Sequence, residues 1–181
     1  MHSAIFLDRD GVIIENRPQY VRTWQDVTIL PGSLQALAVA SASPYKLVII
    51  TNQAGIAKGL IDPTVAQEIN QRLIVEIERA GGRIDGLFVC PHQPEDGCDC
   101  RKPRPGLLFQ ARQALELDLG RSILIGDNLT DIQAGQAAGV GCIALVRTGL
   151  GARFSGELSR PELSQVRIFA NLAEALAELV S

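Results

Sequence analysis

The chain has 181 residues, a formal net charge of −3 and 46% hydrophobic residues. These values are typical of one soluble globular domain, so we expect a single domain over residues 1–181. We also expect a monomer, although the sequence does not reveal the oligomeric state. Its lysines and arginines form no basic run, which argues against a nucleic-acid surface. No apolar segment reaches the length of a membrane span or of a secretory leader, so we expect a cytoplasmic protein without a membrane partner.

Short apolar runs alternate with segments of helical spacing along the chain. The apolar runs predict buried parallel strands at Ala4–Leu7, Leu47–Ile50, Leu87–Val89, Ile123–Ile125 and Ile143–Val146. The helical segments are Gly32–Ser43, Pro63–Ala80, Gly106–Leu117, Leu129–Ala138 and Asn171–Val180, and residues 149–160 predict a mobile loop. This alternation predicts a doubly wound, Rossmann-like α/β sheet, in which ligands bind beyond the carboxyl ends of the strands.

Two carboxylates leave the first strand two residues apart, at Asp8 and Asp10. The alternation of a strand end can point both toward one ligand, and Gly11 allows a sharp turn after them. A calcium-binding EF-hand loop fits less well, because its glycine belongs at the sixth position and Gly11 stands fourth. A solvated pair of surface aspartates is the plainer alternative.

Further polar groups follow the other predicted strands. The second strand ends in hydroxyl and amide groups suited to phosphate oxygens, and the fourth ends in Asp127. Asp131 comes four residues later, one helical turn on, so a helix start would aim both carboxylates at one region. The polar groups found after the second and third strands are Thr51, Asn52, Gln53, Arg101 and Lys102. Together these residues indicate one site at the carboxyl edge of the sheet.

The loop after the third predicted strand holds four metal-ligand residues: Cys90, His92, Cys98 and Cys100. Three thiols and an imidazole fill a tetrahedral zinc site without leaving an open position, which predicts structural zinc that staples the loop. The alternative is three unpaired thiols and a surface histidine. Cys142 lies in an apolar run and is interpreted as core packing.

The motifs around Asp8-Arg9-Asp10-Gly11, Thr51-Asn52, Arg101-Lys102-Pro103 and Gly126-Asp127 resemble those of haloacid dehalogenase-superfamily phosphatases. Within that superfamily the cysteine loop and residues 52–59 resemble the D-glycero-D-manno-heptose 1,7-bisphosphate 7-phosphatases, whose relatives include histidinol-phosphatase domains. The cysteine loop is shorter than in those enzymes, and Asn128 stands where lysine is expected.

The resemblance implies a role for each motif. Asp8 would be the nucleophile that forms an aspartyl-phosphate, and Asp10 the general acid and base. Magnesium would be held by Asp8, the main-chain carbonyl of Asp10 and Asp127. Thr51 and Lys102 would stabilise the transferring phosphoryl group, with the amide of Asn52 beside them.

The spacing of the motifs leaves no room for a separate cap domain, so the site should be open. Selectivity would then come from loops, with substrate contacts from Asn16, Arg17, Tyr20, Thr51, Asn52, Gln53, Arg101, Lys102 and Asn128. We expect a small phosphorylated metabolite as substrate, and a heptose bisphosphate is the preferred candidate. Histidinol phosphate, another small phosphomonoester, a phosphorylated macromolecule and a non-catalytic zinc-stabilised binding protein remain as alternatives.

Overall fold

A computed structural model describes residues 1–154 and 161–180. In this part of the chain six parallel strands form one sheet: β1 Ala4–Leu7, β2 Lys46–Asn52, β3 Gly86–Cys90, β4 Ile123–Gly126, β5 Cys142–Val146 and β6 Arg167–Phe169. Their order is β3-β2-β1-β4-β5-β6, so the direction of winding changes between β1 and β4. Ligands of such sheets bind at this switch point.

Within the described residues, five α-helices flank the sheet: α1 Ser33–Ala40, α2 Pro63–Arg79, α3 Gly106–Leu115, α4 Leu129–Ala138 and α5 Leu172–Leu179. The side chain of Asp62 caps α2 by accepting from the backbone N–H of Thr64 at 2.8 Å. Asn171 caps α5 in the same way through Glu174, at 3.0 Å. The first helix is shorter than predicted at both ends: it begins after Gly32, whose φ of 79° is left-handed, and it ends at Ala40.

The sheet buries one apolar layer on each face. Ile5 and Leu7 of β1 pack in the layer covered by α1, α2 and α5. Ala4 and Phe6 point to the opposite layer, beneath α3 and α4. Because successive strand residues alternate between faces, a short run with all four residues buried needs helices on both sides. The predicted doubly wound α/β fold is confirmed.

The strand connections carry no inserted cap within residues 1–154 and 161–180. One α-helix with its loops joins β1 to β2, and another joins β2 to β3, which leaves the carboxyl edge of the sheet accessible. The predicted mobile loop contains a short 3₁₀ helix, Gly151–Phe154, while its residues 155–160 lie outside the described residues. Among the described helices, none combines the length and the apolar character needed to cross a membrane.

Candidate active site

A polar cavity with a volume of about 740 Å³ opens at the carboxyl ends of β1, β2 and β4. Asp8 and Asp10 follow β1, Asn52 ends β2, and Asp127 follows β4. The predicted site residues that line this cavity are Asp8, Asp10, Asn16, Arg17, Tyr20, Asn52, Gln53, Arg101, Lys102, Asp127 and Asn128. The tertiary structure therefore brings together groups that are scattered over the sequence.

Three carboxylates lie close together beside the cavity, and two of them, Asp8 and Asp127, line it. Asp8, Asp127 and Asp131 each place an oxygen within 4.8 Å of the others. Gly11 makes room for Asp127, since a Cβ built on this glycine would lie 1.9 Å from Asp127 Oδ2. Its φ of 85° also favours glycine. Asp127 Oδ2 accepts a 2.7 Å hydrogen bond from the backbone N–H of Leu150, which fixes the carboxylate in place.

Lys102 is buried against these carboxylates. Its Nζ lies 2.9 Å from Asp8 Oδ1 and 2.6 Å from Asp131 Oδ1, and it donates to the carbonyl of Ile50 at 3.0 Å. Burial alone lowers the pKa of Lys102, but the two carboxylates outweigh burial and raise the pKa above its ordinary value. Lys102 is therefore a fixed positive charge beside Asp8.

The carboxylate cluster has the character of a cation site. Burial raises the pKa of Asp8 to about 7, against the opposing effect of Lys102. Burial also raises the pKa of Asp127 to about 8, with repulsion from Asp8 and Asp131 adding to it. A hard divalent ion with oxygen ligands would reverse both shifts, so this donor set suits magnesium. The Thr51 hydroxyl has no hydrogen-bond partner among the described residues. Thr51 is fully buried at the end of β2 and is not one of the residues that line the cavity.

The backbone of Lys102 is clamped to β2. Asn52 donates through Nδ2 to the Lys102 carbonyl and accepts through Oδ1 from the Lys102 N–H, each at 3.1 Å. The side-chain amide predicted to face phosphate is thus engaged with the main chain that carries the lysine. Arg101 donates to the carbonyl of His92 at 3.0 Å, which joins the same segment to the cysteine loop.

Cys90, His92, Cys98 and Cys100 converge as the spacing predicts. Five of the six donor pairs lie 3.1–3.6 Å apart, near the edges of about 3.5–3.8 Å expected for tetrahedral zinc at Zn–S of about 2.3 Å. Burial raises the pKa of Cys90 to about 12. Burial also acts to raise the pKa of Cys98, but hydrogen bonds outweigh it and lower the pKa to about 7. The geometry of the four donor atoms fits zinc.

Asp10 is held by a neighbour that was not predicted to be a site residue. Arg9 is 5% exposed and donates to both oxygens of Asp10, at 2.9 and 3.2 Å. Its Nη1 donates to Oδ1 of Asn70 on α2 at 2.7 Å. Gln53, predicted to contact substrate, donates to the same oxygen at 3.1 Å.

Comparison with known proteins agrees with this geometry. Residues 99–175 match the family model described as HAD-hydrolase-like. The chain is 37% identical to D-glycero-beta-D-manno-heptose-1,7-bisphosphate 7-phosphatase of Bordetella bronchiseptica over 97% of each chain. It is also 37% identical to the enzyme of that name from Pseudomonas aeruginosa over 98% of each. The chain belongs to the heptose-bisphosphate phosphatase family.

Solved structures of this family share the fold. A crystal structure of D,D-heptose 1,7-bisphosphate phosphatase from B. bronchiseptica, complexed with magnesium and phosphate, matches with a TM-score of 0.91 at 36% identity. The match covers 98% of this chain and 97% of that one. The phosphatase from Burkholderia thailandensis matches with a TM-score of 0.75 at 29% identity, over 99% of each chain.

In this heptose-bisphosphate phosphatase fold, three of the predicted substrate residues also contact other parts of the protein. Arg17 already contacts Glu15 at 3.2 Å, and the Tyr20 hydroxyl accepts from Lys58 at 2.9 Å. Asn128 caps α4 while lining the cavity. Arg153 also lines the cavity and was missed, because nothing in the sequence shows that its loop returns to the site.

Two further residues near the site are buried: Asp131, which the sequence placed with Asp127 but to which no role was assigned, and Asn70, which was not predicted. The position of Asp131, one helical turn after Asp127, was a usable signal. Asn70 had none, since an asparagine inside an amphipathic helix gives no indication of the side chain it will meet.

Proposed function

We propose that this chain is a magnesium-dependent phosphatase that removes the C7 phosphate of D-glycero-D-manno-heptose 1,7-bisphosphate through an aspartyl-phosphate. The observation that carries the proposal is the placement of Lys102 between Asp8 and Asp131, with Asp127 beside them. A carboxylate nucleophile next to a fixed cation and a cation-binding cluster is suited to phosphoryl transfer. The unpaired Thr51 hydroxyl supplies a donor for a phosphoryl oxygen.

In the first step an oxygen of Asp8 forms a bond to phosphorus while the bond from phosphorus to the sugar oxygen breaks. Asp10 gives its proton to the departing alkoxide, and Lys102 and Thr51 stabilise the charge on the phosphoryl oxygens. In the second step Asp10 takes a proton from water, which attacks phosphorus and releases Asp8 and inorganic phosphate.

The residues proposed to hold magnesium are Asp8 and Asp127 through their carboxylates and Asp10 through its main-chain carbonyl. When bound, magnesium neutralises charge so that an anionic nucleophile can approach an anionic ester. Asp131 has a different role in this proposal, because its carboxylate pairs with Lys102 at 2.6 Å and also accepts from the Asn128 N–H at 3.1 Å. It anchors the lysine.

A sugar bisphosphate suits the cavity because cations flank the proposed reaction centre. Arg101 and Arg17 line the wall together with Arg153, and guanidinium groups bind phosphate through forked donors. Arg101 is the best placed to receive the second phosphate, since its bond to His92 ties it to the cysteine loop. Asn16, Tyr20 and Asn128 would contribute neutral contacts.

Further properties belong to the same proposal. Zinc bound by the cysteine loop is structural and holds the segment of Arg101 and Lys102. The chain works as a monomer of one domain in the cytoplasm, without nucleic-acid or membrane partners, and its formal net charge of −3 supports the absence of a nucleic-acid surface.

A panel of phosphorylated metabolites, assayed with and without magnesium, tests the function. We expect the highest kcat/KM for the heptose 1,7-bisphosphate, with the heptose 1-phosphate as product and no turnover without magnesium. Asp8→Asn serves as the inactive control. Higher kcat/KM for histidinol phosphate would overturn the substrate, whereas no phosphate release from any ester would favour a zinc-stabilised binding protein.

A further inference from the structure

We propose that Asn70 is a positioning residue that acts through Arg9 to aim the carboxylate of Asp10 at the leaving group. This inference rests on the proposed function, because it assumes that Asp10 is the acid and base. It concerns a buried chain of hydrogen bonds that runs from α2 to the loop after β1.

The chain of contacts is continuous. The amide oxygen of Asn70 accepts from Arg9 Nη1 at 2.7 Å and from Gln53 Nε2 at 3.1 Å. The opposite side of the Arg9 guanidinium meets Asp10, with Nε on one carboxylate oxygen at 2.9 Å and Nη2 on the other at 3.2 Å. One guanidinium therefore bridges the helix and the carboxylate.

Burial makes this bridge rigid. Arg9 is 5% exposed, and Asn70 and Gln53 are each 4% exposed. A buried guanidinium is costly unless its donors are paired, so removal of any partner penalises the remaining arrangement. The planar fork also restrains a carboxylate more tightly than a single hydrogen bond does. The side chain of Asp10 itself is 23% exposed, so it reaches the cavity while its orientation is set from behind.

The position of Asn70 separates this role from substrate binding. Asn70 lies on α2, sixty-one residues from Arg9, and does not line the large cavity. Its loss should leave the contacts of Lys102 and Thr51 with phosphate intact and disturb the steps in which Asp10 moves a proton. Those steps matter most for esters with poor leaving groups, whose alkoxide must be protonated as it departs.

The test compares two substrates in Asn70→Leu: the heptose bisphosphate, with a poor leaving group, and p-nitrophenyl phosphate, whose leaving group needs no proton. We expect kcat/KM to fall about 30-fold for the first and less than about threefold for the second, since general acid catalysis contributes roughly 10²–10⁴-fold. Asn70→Asp keeps the acceptor oxygen and should restore the wild-type ratio of the two values. Gln71→Ala, an exposed change on the same helix, is the matched control.

Arg9→Lys provides a second measurement if Asn70→Leu does not fold, because lysine keeps the charge but lacks the fork. It should show the same selective loss. Equal losses on both substrates, or no loss, would overturn the positioning role. Asp10→Asn distinguishes failure of the proposed function from failure of this inference. Equal losses on both substrates in Asp10→Asn would refute the acid and base role of Asp10. A selective loss in Asp10→Asn together with equal losses in Asn70→Leu would refute only the role of Asn70.

Discussion

Replacing the proposed nucleophile should abolish activity and, at the same time, stabilise the magnesium-free protein. Asp8→Asn keeps the shape of the side chain but removes its nucleophilic oxygen, so we expect no measurable turnover. The same change removes a carboxylate whose charge is disfavoured by burial and also repelled by Asp131 and Asp10. Without magnesium that charge is a cost to the fold.

The size of the effect follows from the pKa. Folding raises the pKa of Asp8 from 3.8 to about 7. Since one pKa unit is about 1.4 kcal/mol, ionising this group in the folded protein costs about 4 kcal/mol at pH 7. Asparagine pairs more weakly with Lys102 than a carboxylate does, so we expect Asp8→Asn to recover about half of this free energy. A gain of about 2 kcal/mol raises Tm by about 4–8 °C in a chain of this length.

The pH dependence gives a sharper test. Because the folded state binds more protons than the unfolded state between pH 3.8 and about 7, wild-type stability is lost as pH rises through this window. The advantage of Asp8→Asn should therefore be small near pH 4 and grow toward pH 7.

Thermal unfolding should be measured on zinc-loaded protein in magnesium-free buffer without chelator. Glu68→Gln, an exposed change of the same charge, is the control. An Asp8→Asn variant that is no more stable than wild type at pH 7, or equally favoured at pH 4, would refute the reasoning.

Three further predictions address the metal, the substrate and the fold. Cys98→Ser should lower the bound zinc from about one ion per chain, as measured by elemental analysis, and reduce both Tm and kcat. Cys142→Ser lies outside the cluster and should keep its zinc. Arg101→Ala should raise KM about tenfold for the heptose bisphosphate and less than threefold for a small monophosphate, and equal increases would contradict its contact with the second phosphate. Asp85→Asn should cost about 1 kcal/mol at pH 7 in urea unfolding. Burial acts to raise the pKa of Asp85, but the Leu47 N–H and neighbouring cations outweigh burial and lower it. Its stabilising effect is therefore present above pH 3.8 and lost as pH falls below that value, and an unchanged difference between the variants at pH 3 would contradict this.

The strands and helices were predictable because local patterns specify them. Four-residue runs such as Ala4–Leu7 are apolar throughout because helices cover both faces of the sheet. The sixth strand, Arg167–Phe169, was missed because it lacks such an apolar pattern. It has three residues, of which only Phe169 is buried, so it leaves no apolar run to recognise. Its identity as a strand comes from pairing with β5.

Site residues close together in the sequence were also easier to predict than those whose partners are distant. Cys90, His92, Cys98 and Cys100 lie within eleven residues, and Asp8 and Asp10 share one loop, so spacing alone predicted that each group would converge. Asn52 was different. Its position at a strand end suggested a phosphate contact, yet its side chain bonds the main chain of Lys102, fifty residues away. A position at a strand end indicates where a side chain lies, but not which group it will bond to.

What the sequence determined by itself was the chemistry available at each strand end and the fold that gathers those ends at one edge. What only the tertiary structure decided was which groups orient the reactive ones. Asp131 holds Lys102, and Arg9 joins Asp10 to Asn70. The physical reason is that these contacts depend on how α2 and α4 pack against the sheet, across separations at which a single sequence carries no pairing signal.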